Sequence, residues 1–400
     1  MQKRIFSLLL AMILVFSLCG CEKLPEKKTK NDEKKDKTET EVQTATYTPS
    51  KAELVLDSMT TEEKVAQLIF TLPEALTERV SIKNLSDDEK ITVVTDEMRR
   101  VYEEYPIGGF ILFARNVETP GQLKKLTSDL HALGDIEPLI TIDEEGGSVT
   151  RIARNSNFNV AKFADNAVIA DTSNKKNALD LGTKIGAYLT EYGIDLDFAP
   201  VADVNTNPNN PVIGKRAFGS DPEVAAEMVT SVIEGLHKSD NMSCIKHFPG
   251  HGDTSTDSHK GYAKTDKTWD EIKNCEMIPF VAGIEAGTDM VMVAHICAPN
   301  VTGDQTPASL SYTLITEKLR GELGYDGVVI TDALNMGAIT DNYTSSEAAV
   351  AAIKAGADII LAPLDFRAAY NAILSAVNFG EISVERLDQS VLRILNLKYE

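Results

Sequence analysis

Short apolar segments alternate with longer segments of helical spacing along most of the chain. Short apolar runs bounded by Gly, Pro or Asp are typical of buried strands, and apolar positions three or four residues apart are typical of helices. The predicted strands cover 108–113, 138–143, 196–199, 242–245, 290–294, a short segment around 310, 327–332 and 359–362. The predicted helices cover 53–69 as two short pieces, 120–133, 176–192, 222–238, 269–286, 312–323, 345–355 and two pieces within 365–397.

This alternation predicts a parallel sheet covered by helices, because consecutive parallel strands need a long crossover that a helix supplies. The eight strand–helix units favour an α/β fold of the closed (β/α)8 TIM type, formed as a single domain by residues 51–400. An open doubly wound sheet is the alternative. Its usual dinucleotide ligand is not supported, because no Gly-x-Gly-x-x-Gly joins a predicted strand to a helix.

The first 21 residues have the layout of an export signal. Lys3 and Arg4 precede the apolar run 5–18, which is too short to span a membrane comfortably. The sequence Leu-Cys-Gly-Cys at 18–21 resembles a bacterial lipobox, which implies cleavage before Cys21 and a lipid on its thiol. The expectation is therefore an extracytoplasmic protein anchored to the bacterial cell membrane by lipid. An ordinary secretory signal is the alternative.

Residues 22–50 are rich in Lys, Glu, Asp and Thr and contain few apolar residues. Such a segment buries too little apolar surface to offset its ordering entropy, so we expect a disordered polar tether. The formal net charge of the whole chain is −20. A nucleic-acid partner would need a basic face, so this class of partner is not expected.

Ionisable residues follow several of the predicted strands. Asp143 and Asp332 end two of them, His295 follows a third, and Lys246 and His247 follow a fourth. In a closed barrel the C-terminal strand ends meet at one rim, where active sites lie. Carboxylate acceptors and cationic donors gathered at one rim suit a polyhydroxylated ligand such as a carbohydrate.

One loop, residues 246–259, holds three of the six histidines of the chain. Pro249, Gly250 and Gly252 interrupt regular structure after the strand, so a long irregular loop is expected. A zinc site formed by the three histidines is an alternative. The intervening Pro-Gly denies His247 and His251 the helical spacing of the zinc proteases, so no metal is predicted. His251 is predicted to be structural, and the role of His295 is left open.

Five segments carry a resemblance to a known family. They are Lys-His-Phe-Pro-Gly-His-Gly with Asp-Ser-His at 246–259, Ile-Asp-Glu-Glu-Gly-Gly at 142–147, Asp-Phe-Ala-Pro-Val-Ala-Asp at 197–203, Lys-Arg-Ala-Phe-Gly at 215–219 and Val-Ile-Thr-Asp at 329–332. Together they resemble glycoside hydrolase family 3, in its β-N-acetylglucosaminidase branch. The resemblance covers nearly all of residues 51–400, and the histidine loop is its most specific part.

The resemblance implies a role for each matching residue. Asp332 would be the nucleophile, His259 the general acid/base, and Asp257 the residue that orients His259. The residues implied to bind N-acetylglucosamine are Asp143, Arg151, Arg216, Lys246 and His247. A histidine is chemically suited to the acid/base role, because it titrates near neutral pH without a large shift of its pKa.

The expected activity is that of a retaining exo-β-N-acetylglucosaminidase with a covalent glycosyl-aspartate intermediate. It would remove terminal, non-reducing N-acetylglucosamine, with peptidoglycan fragments as the expected substrate and no cofactor. A phosphorylase that uses phosphate instead of water at the same site is one alternative. A sugar-binding lipoprotein without catalysis is an alternative of another class, and it would lack a nucleophile paired with an acid.

Overall fold

The computed structural model describes residues 48–79, 81–86, 89–172, 174–255 and 263–399. The chain divides into two units, Met1–Thr48 and Pro49–Glu400. The predicted signal, its Cys21 and nearly all of the predicted tether lie in the first unit and outside the described residues.

The second unit is built from short strands and longer helices. The strands are β1 Ile69–Thr71, β2 Gly109–Leu112, β3 Leu139–Ile142, β4 Leu196–Asp197, β5 Met242–Phe248, β6 Ala263–Lys264, β7 Met290–Val293, β8 Ile296–Cys297, β9 Val328–Thr331 and β10 Ile360–Leu361. The helices are α1 Lys51–Ser58, α2 Thr61–Gln67, α3 Asp96–Glu104, α4 Pro120–His131, α5 Asn166–Ala170, α6 Lys175–Glu191, α7 Pro222–His237, α8 Trp269–Lys273, α9 Met277–Glu285, α10 Pro299–Thr302, α11 Gly337–Thr340, α12 Ser345–Ala355, α13 Phe366–Asn378 and α14 Val384–Tyr399. Single 3-10 turns occur at Pro73–Leu76, Ala114–Asn116, Gly214–Arg216 and Ala308–Leu310, and Thr313–Glu322 forms a helix with π-type hydrogen bonds.

Eight of the strands form one parallel sheet, in the order β10-β1-β2-β3-β4-β5-β7-β9. A further parallel bridge joins Ile330 of β9 to Ile359, next to β10, and so brings the two edges of the sheet together. The sheet is thus a (β/α)8 barrel, as predicted. Its strands are almost entirely buried and consist mainly of apolar residues, as expected for strands enclosed by helices. The short pair β6–β8 lies outside the barrel sheet.

Two strand predictions are wrong: one barrel strand was missed, and one predicted strand does not form. The predicted total of eight barrel strands is therefore still correct. Residues 69–71 form β1, although their apolar positions continue the helical spacing of α2. The backbone of β1 pairs with β2 and β10, and this pairing overrides the local pattern. The segment around Leu310 forms a 3-10 turn instead of a strand. The predicted helix 269–286 is interrupted and forms α8 and α9, because Pro279 has no backbone N–H to continue the helix upstream.

Aspartates fix the N-terminal ends of three barrel strands. Asp195, Asp289 and Asp358 precede β4, β7 and β10, and each accepts the backbone N–H of a neighbouring strand at 2.6, 2.8 and 2.9 Å. Each carboxylate also contacts a basic side chain from a preceding helix; the three are His131, His237 and Arg320. These hydrogen-bonded pairs hold this end of the barrel.

Within the described part of the chain, no helix combines the length and the apolar character needed to cross a bilayer.

Candidate active site

A cavity of about 560 Å³ opens at the C-terminal end of the barrel. Its ionisable lining residues are Asp143, Glu145, Arg151, Arg216, Lys246, His247, His251 and Asp332. Its apolar lining includes Ile111, Phe113, Phe198, Met292 and Leu361. A concave site that combines apolar side chains with converging polar groups is typical of small-ligand binding.

Two acidic and three basic side chains form an ionic cluster on one wall of this cavity. Lys246 Nζ lies 2.7 Å from Asp143 Oδ1 and 2.7 Å from Glu145 Oε1. Arg216 donates to both oxygens of Glu145, at 2.9 and 2.6 Å. Arg151 donates to Asp143 Oδ2 at 3.1 Å. The side chains of Glu145 and Lys246 are only 1% and 2% exposed, so each depends on the other for compensation of its charge.

The pKa values follow from this pairing. Burial acts to raise the pKa of Asp143, but the charges of Lys246 and Arg151 outweigh it, and the pKa lies below the usual value. Arg216 and Lys246 likewise outweigh burial at Glu145 and lower its pKa. Burial acts to lower the pKa of Lys246, but the charges of Asp143 and Glu145 raise it. All three groups are therefore ionised at neutral pH and present fixed charges to a ligand.

A bulge in β5 brings two consecutive side chains to the cavity. The pairing of β5 with β7 shifts by one residue between Ile245 and Phe248, so the strict alternation of side chains is broken there. Lys246 and His247 lie within this irregular step, and both line the cavity. The peptide bond between them is cis.

His247 is oriented by a buried carboxylate. Its Nδ1 lies 2.6 Å from Asp203 Oδ2, and its Nε2 lies 3.4 Å from a guanidinium nitrogen of Arg216. A carboxylate accepts and a guanidinium donates, so the Nδ1–H tautomer satisfies both contacts. Asp203 Oδ1 also accepts the backbone N–H of His251 at 2.6 Å. One carboxylate thus fixes the strand end and the first part of the histidine loop.

Glu144 holds the loop that presents Arg151. Its carboxylate is fully buried and accepts the backbone N–H groups of Arg151, Ile152 and Ala153 at 2.5, 3.0 and 2.9 Å. It also accepts the hydroxyl of Tyr188 at 2.8 Å. Glu144 is therefore a structural residue, although it lies between the two acidic residues of the ionic cluster.

Asp332 directly follows β9 and faces the same cavity. Its Oδ1 accepts the N–H of Ala333 at 2.7 Å. Burial acts to raise the pKa of Asp332, but the electrostatic contacts with His295 and His247 and the hydrogen bond from Ala333 N–H outweigh it, so the pKa lies below the usual value. A carboxylate that stays ionised at the mouth of the barrel is suited to nucleophilic attack.

Residues 60–397 match the Glycosyl hydrolase family 3 N terminal domain. The chain belongs to glycosyl hydrolase family 3.

Curated relatives and solved structures agree with this family. The chain is 36% identical over 336 residues to beta-hexosaminidase A of Pseudoalteromonas piscicida, an alignment that covers 77% of this chain and 56% of that protein. It is 34% identical over 307 residues to a beta-hexosaminidase of Hydrogenovibrio crunogenus, covering 75% of this chain and 84% of that protein. It superposes with a TM-score of 0.78 on a family 3 beta-N-acetylglucosaminidase from a Paenibacillus species, at 38% identity, covering 85% of this chain and 62% of that one.

Six residues that the family 3 resemblance implicates lie around one cavity. They are Asp143, Arg151, Arg216, Lys246, His247 and Asp332. The predicted acid/base His259 and its partner Asp257 lie outside the described residues. The two ends of their loop are described. Thr265 donates to Asp253 at 2.6 Å and so joins the two ends, while β6 pairs with β8 directly after His295.

Sequence analysis missed two carboxylates of the site. Glu145 and Asp203 stand within the quoted family 3 segments, but no role was assigned to either. Glu145 is the main partner of Arg216, and Asp203 is the partner of His247. The need for these carboxylates could have been inferred from the sequence. Buried Lys and Arg side chains require carboxylate partners, and the predicted sugar-binding set contained more basic residues than acidic ones. His251 was predicted to be structural. It does hold the loop through Thr254 at 2.6 Å, and it also lines the cavity.

Among the described residues, no group of three or more His, Cys, Asp or Glu side chains is arranged to hold a metal ion.

Proposed function

We propose that this family 3 chain is a retaining exo-β-N-acetylglucosaminidase that removes terminal, non-reducing N-acetylglucosamine through a covalent intermediate on Asp332. The observation that carries the proposal is the gathering of six sequence-implicated residues around one cavity of about 560 Å³. The names of the relatives support the choice of an N-acetylated sugar. Because the chain spans 56% of one of these relatives and 62% of another, its activity is proposed from its own site.

The ionic cluster is suited to holding the hydroxyl groups of one sugar ring. Asp143 and Glu145 are acceptors, while Arg151, Arg216 and Lys246 are donors that cannot rotate freely, because each is already held by a carboxylate. Donors and acceptors fixed before the ligand arrives lose little entropy on binding. The apolar lining residues, such as Phe113 and Met292, would supply contacts for the carbon face of the ring and for an acetyl methyl group.

In the proposed mechanism, Asp332 attacks the anomeric carbon and the glycosidic oxygen leaves with a proton from His259. The anomeric carbon–oxygen bond breaks as the bond to the carboxylate forms. Water then attacks the same carbon after giving its proton to the histidine, and the aspartate is released. A histidine performs both proton transfers near neutral pH, and Asp257 would orient its ring.

We further propose that the natural substrates are peptidoglycan fragments. A neutral or cationic acid/base tolerates a leaving sugar that carries a carboxylate, whereas a glutamate in this role would repel it. N-acetylmuramic acid is such a sugar. The predicted lipid on Cys21 would hold the enzyme on the outer side of the cell membrane, where these fragments arise.

The proposal is tested with a chromogenic aryl β-N-acetylglucosaminide and Asp332→Asn. Wild type should release the phenol, and the variant should lose roughly four orders of magnitude or more in kcat, because a neutral amide is a poor nucleophile. Asp180→Asn is the matched control, since Asp180 forms an exposed pair with Lys184 at 2.8 Å outside the cavity lining. An Asp332→Asn enzyme of near wild-type rate would disprove the nucleophile assignment.

Two further measurements separate the alternatives. Mass spectrometry after reaction with a 5-fluoro glycosyl donor, whose covalent intermediate breaks down slowly, should show the label on the peptide that contains Asp332. Product analysis with and without inorganic phosphate separates hydrolysis from phosphorolysis, because only the phosphorylase yields a sugar 1-phosphate. Binding of N-acetylglucosamine without any turnover would instead support the sugar-binding lipoprotein.

A further inference from the structure

Backbone groups on both sides hold the turn that carries Asp332. The N–H of Asp332 donates to Val293 O in β7 at 2.8 Å, and the N–H of Leu334 donates to Leu361 O in β10 at 2.8 Å. Between them, the N–H of Ala333 donates to Asp332 Oδ1 at 2.7 Å. The carboxylate is therefore anchored through Oδ1, and this leaves Oδ2 as the oxygen that can approach a sugar.

His295 supplies the side-chain contact to this turn. Its Nε2 lies 3.0 Å from the carbonyl oxygen of Ala333, and its Nδ1 lies 2.7 Å from the hydroxyl of Ser309. His295 and Ser309 are both fully buried. A backbone carbonyl only accepts hydrogen bonds, so Nε2 must carry a proton. The contact with Ser309 keeps the ring in the plane that this bond requires.

We propose that His295 and Ser309 form a positioning pair that fixes the turn at Ala333 and thereby aims the carboxylate of Asp332 at the anomeric carbon. The inference rests on the proposed role of Asp332 as nucleophile and extends it to two residues that do not touch the substrate. His295 lies two residues after the end of β7, so a barrel strand adjacent to β9 sets its position. Ser309 lies in the 3-10 turn Ala308–Leu310. Its backbone N–H donates to the carbonyl oxygen of Ala294 at 3.0 Å, which fixes the turn next to His295.

The pair also acts on the charge of the nucleophile. The serine hydroxyl donates to a neutral imidazole and accepts from a protonated one, so this pocket holds either form of His295. Among the described residues, Lys246 and His247 of β5 and His251 of the following loop also act electrostatically on Asp332. A positive His295 favours the ionised carboxylate of Asp332.

Three variants separate these effects. His295→Ala removes both ring contacts, and Ser309→Ala removes only the partner of Nδ1. His295→Gln places an amide donor near the position of Nε2 but carries no charge. His237→Gln is the matched control, because His237 pairs with Asp289 before β7, at the opposite end of that strand.

The first readout is the split between kcat and KM on an activated aryl β-N-acetylglucosaminide. We expect His295→Ala to lower kcat about 100-fold with KM changed less than about threefold, since a displaced nucleophile slows attack and leaves the sugar contacts intact. His295→Gln should recover about tenfold of this loss by restoring the donor to Ala333. His237→Gln should match wild type.

The second readout is the acid limb of kcat/KM against pH, which reports ionisation of the free enzyme. This limb should move to higher pH in His295→Gln, because the electrostatic contact with His295 that lowers the pKa of Asp332 is lost. A loss of packing alone would lower the whole profile and leave the limb in place. Two results together would overturn the inference: an acid limb of His295→Gln that stays at the wild-type pH, and a kcat of His295→Ala within threefold of wild type.

Ser309→Ala decides the case if His295→Ala does not fold. It should lower kcat about tenfold and shift the acid limb in the same direction, and wild-type values for both would overturn the inference. Labelling of wild type by the 5-fluoro glycosyl donor separates this failure from failure of the proposed function. A label on another residue refutes the role of Asp332 itself, whereas a label on Asp332 with unchanged variants refutes only the positioning pair.

Discussion

Replacement of Glu145 by Gln is the sharpest test of the ionic cluster. The amide has nearly the shape of the carboxylate but no charge, and one of its two terminal atoms becomes a donor. In the native site this carboxylate accepts from Lys246 at 2.7 Å and from two nitrogens of Arg216 at 2.9 and 2.6 Å. Its side chain is 1% exposed, so water cannot take over these contacts.

The expected loss of stability follows from what remains after the change. Breaking a buried ion pair by removing one partner costs about 3–5 kcal/mol. Lys246 retains Asp143 at 2.7 Å, so only Arg216 is left without a carboxylate. Arg216 then keeps a contact of 3.3 Å to Val212 O and its long contact to His247. We therefore expect the lower end, about 3 kcal/mol, which is a shift of about 4 °C in Tm for a domain of this size.

The free energy of unfolding is measured by urea titration, and kcat/KM is measured on the same preparation with an aryl β-N-acetylglucosaminide. We expect kcat/KM to fall about 100-fold, because Arg216 loses the contact that fixes its guanidinium. Glu234→Gln is the control, since Glu234 forms an exposed pair with Lys238 at 2.6 Å and its neutralisation should leave both quantities unchanged.

A Glu145→Gln protein with wild-type stability and wild-type kcat/KM would refute this reasoning. Such a result would mean that Arg216 and Lys246 are held by other contacts. A loss of activity without a loss of stability would contradict only the energetic part, because it would leave the positioning role intact.

Three further predictions concern other parts of the chain. The hydrogen bond to Asp289 raises the pKa of His237 above its unfolded value. The stability that this pair adds should therefore be fully present below about pH 6.5 and lost as pH rises through the raised pKa. The difference in urea midpoint between wild type and His237→Gln should shrink from pH 6 to pH 9. Gly147→Ala should lower stability by about 1–3 kcal/mol and reduce kcat/KM, because Gly147 has a φ of +56° and a Cβ there would lie 2.5 Å from the Cα of Asp165. Cys21→Ala should abolish incorporation of labelled fatty acid and release the protein from the membrane fraction.

Each of these predictions has a control. For the histidine pair, a midpoint difference that grows from pH 6 to pH 9 would contradict the sign. For the glycine, Gly121→Ala in α4 is the matched change, because a Cβ there meets nothing within 4 Å and should leave stability unchanged or higher. For the lipid, Cys275→Ala, in the segment between α8 and α9, should label like wild type.

The parts of the fold that sequence reasoning predicted best are those in which local pattern and tertiary environment agree. The run 327–332 is apolar and β-branched, and β9 pairs on one side with β7 and is bridged on the other to Ile359. The strand β1 was not predicted, because its apolar positions fit the helical period of α2 equally well. Only its pairing with β2 and β10 distinguishes a strand from a helix at these residues. The irregular step in β5 was not predictable either, since no local residue pattern shows that Lys246 and His247 both face the cavity.

The candidate site shows the same limit in chemical terms. The family segments supplied the residues that a ligand would touch, but they did not supply the carboxylates that hold those residues. Arg216 donates to Glu145, which lies 71 residues away in the chain. His247 is paired with Asp203, which lies 44 residues away. Contacts at such separations arise from the closure of the barrel, so a single sequence reveals them only through the requirement that buried charges be compensated.

The two ends of the barrel use the same residue type for opposite purposes, and the position relative to the strand distinguishes them. Asp195, Asp289 and Asp358 stand just before a strand, where a neighbouring backbone N–H and a helix cation are both in reach. Asp143 and Asp332 stand just after a strand and line the cavity, and Lys246 of the site acts on both carboxylates. A charge at the first position is satisfied within the fold and adds stability. A carboxylate just after a strand is held only in part by other site residues. It can therefore still accept hydrogen bonds from a ligand or attack it. This asymmetry follows from the direction of a parallel barrel. An aspartate that precedes a barrel strand therefore supports the fold, and one that follows a strand is available for chemistry.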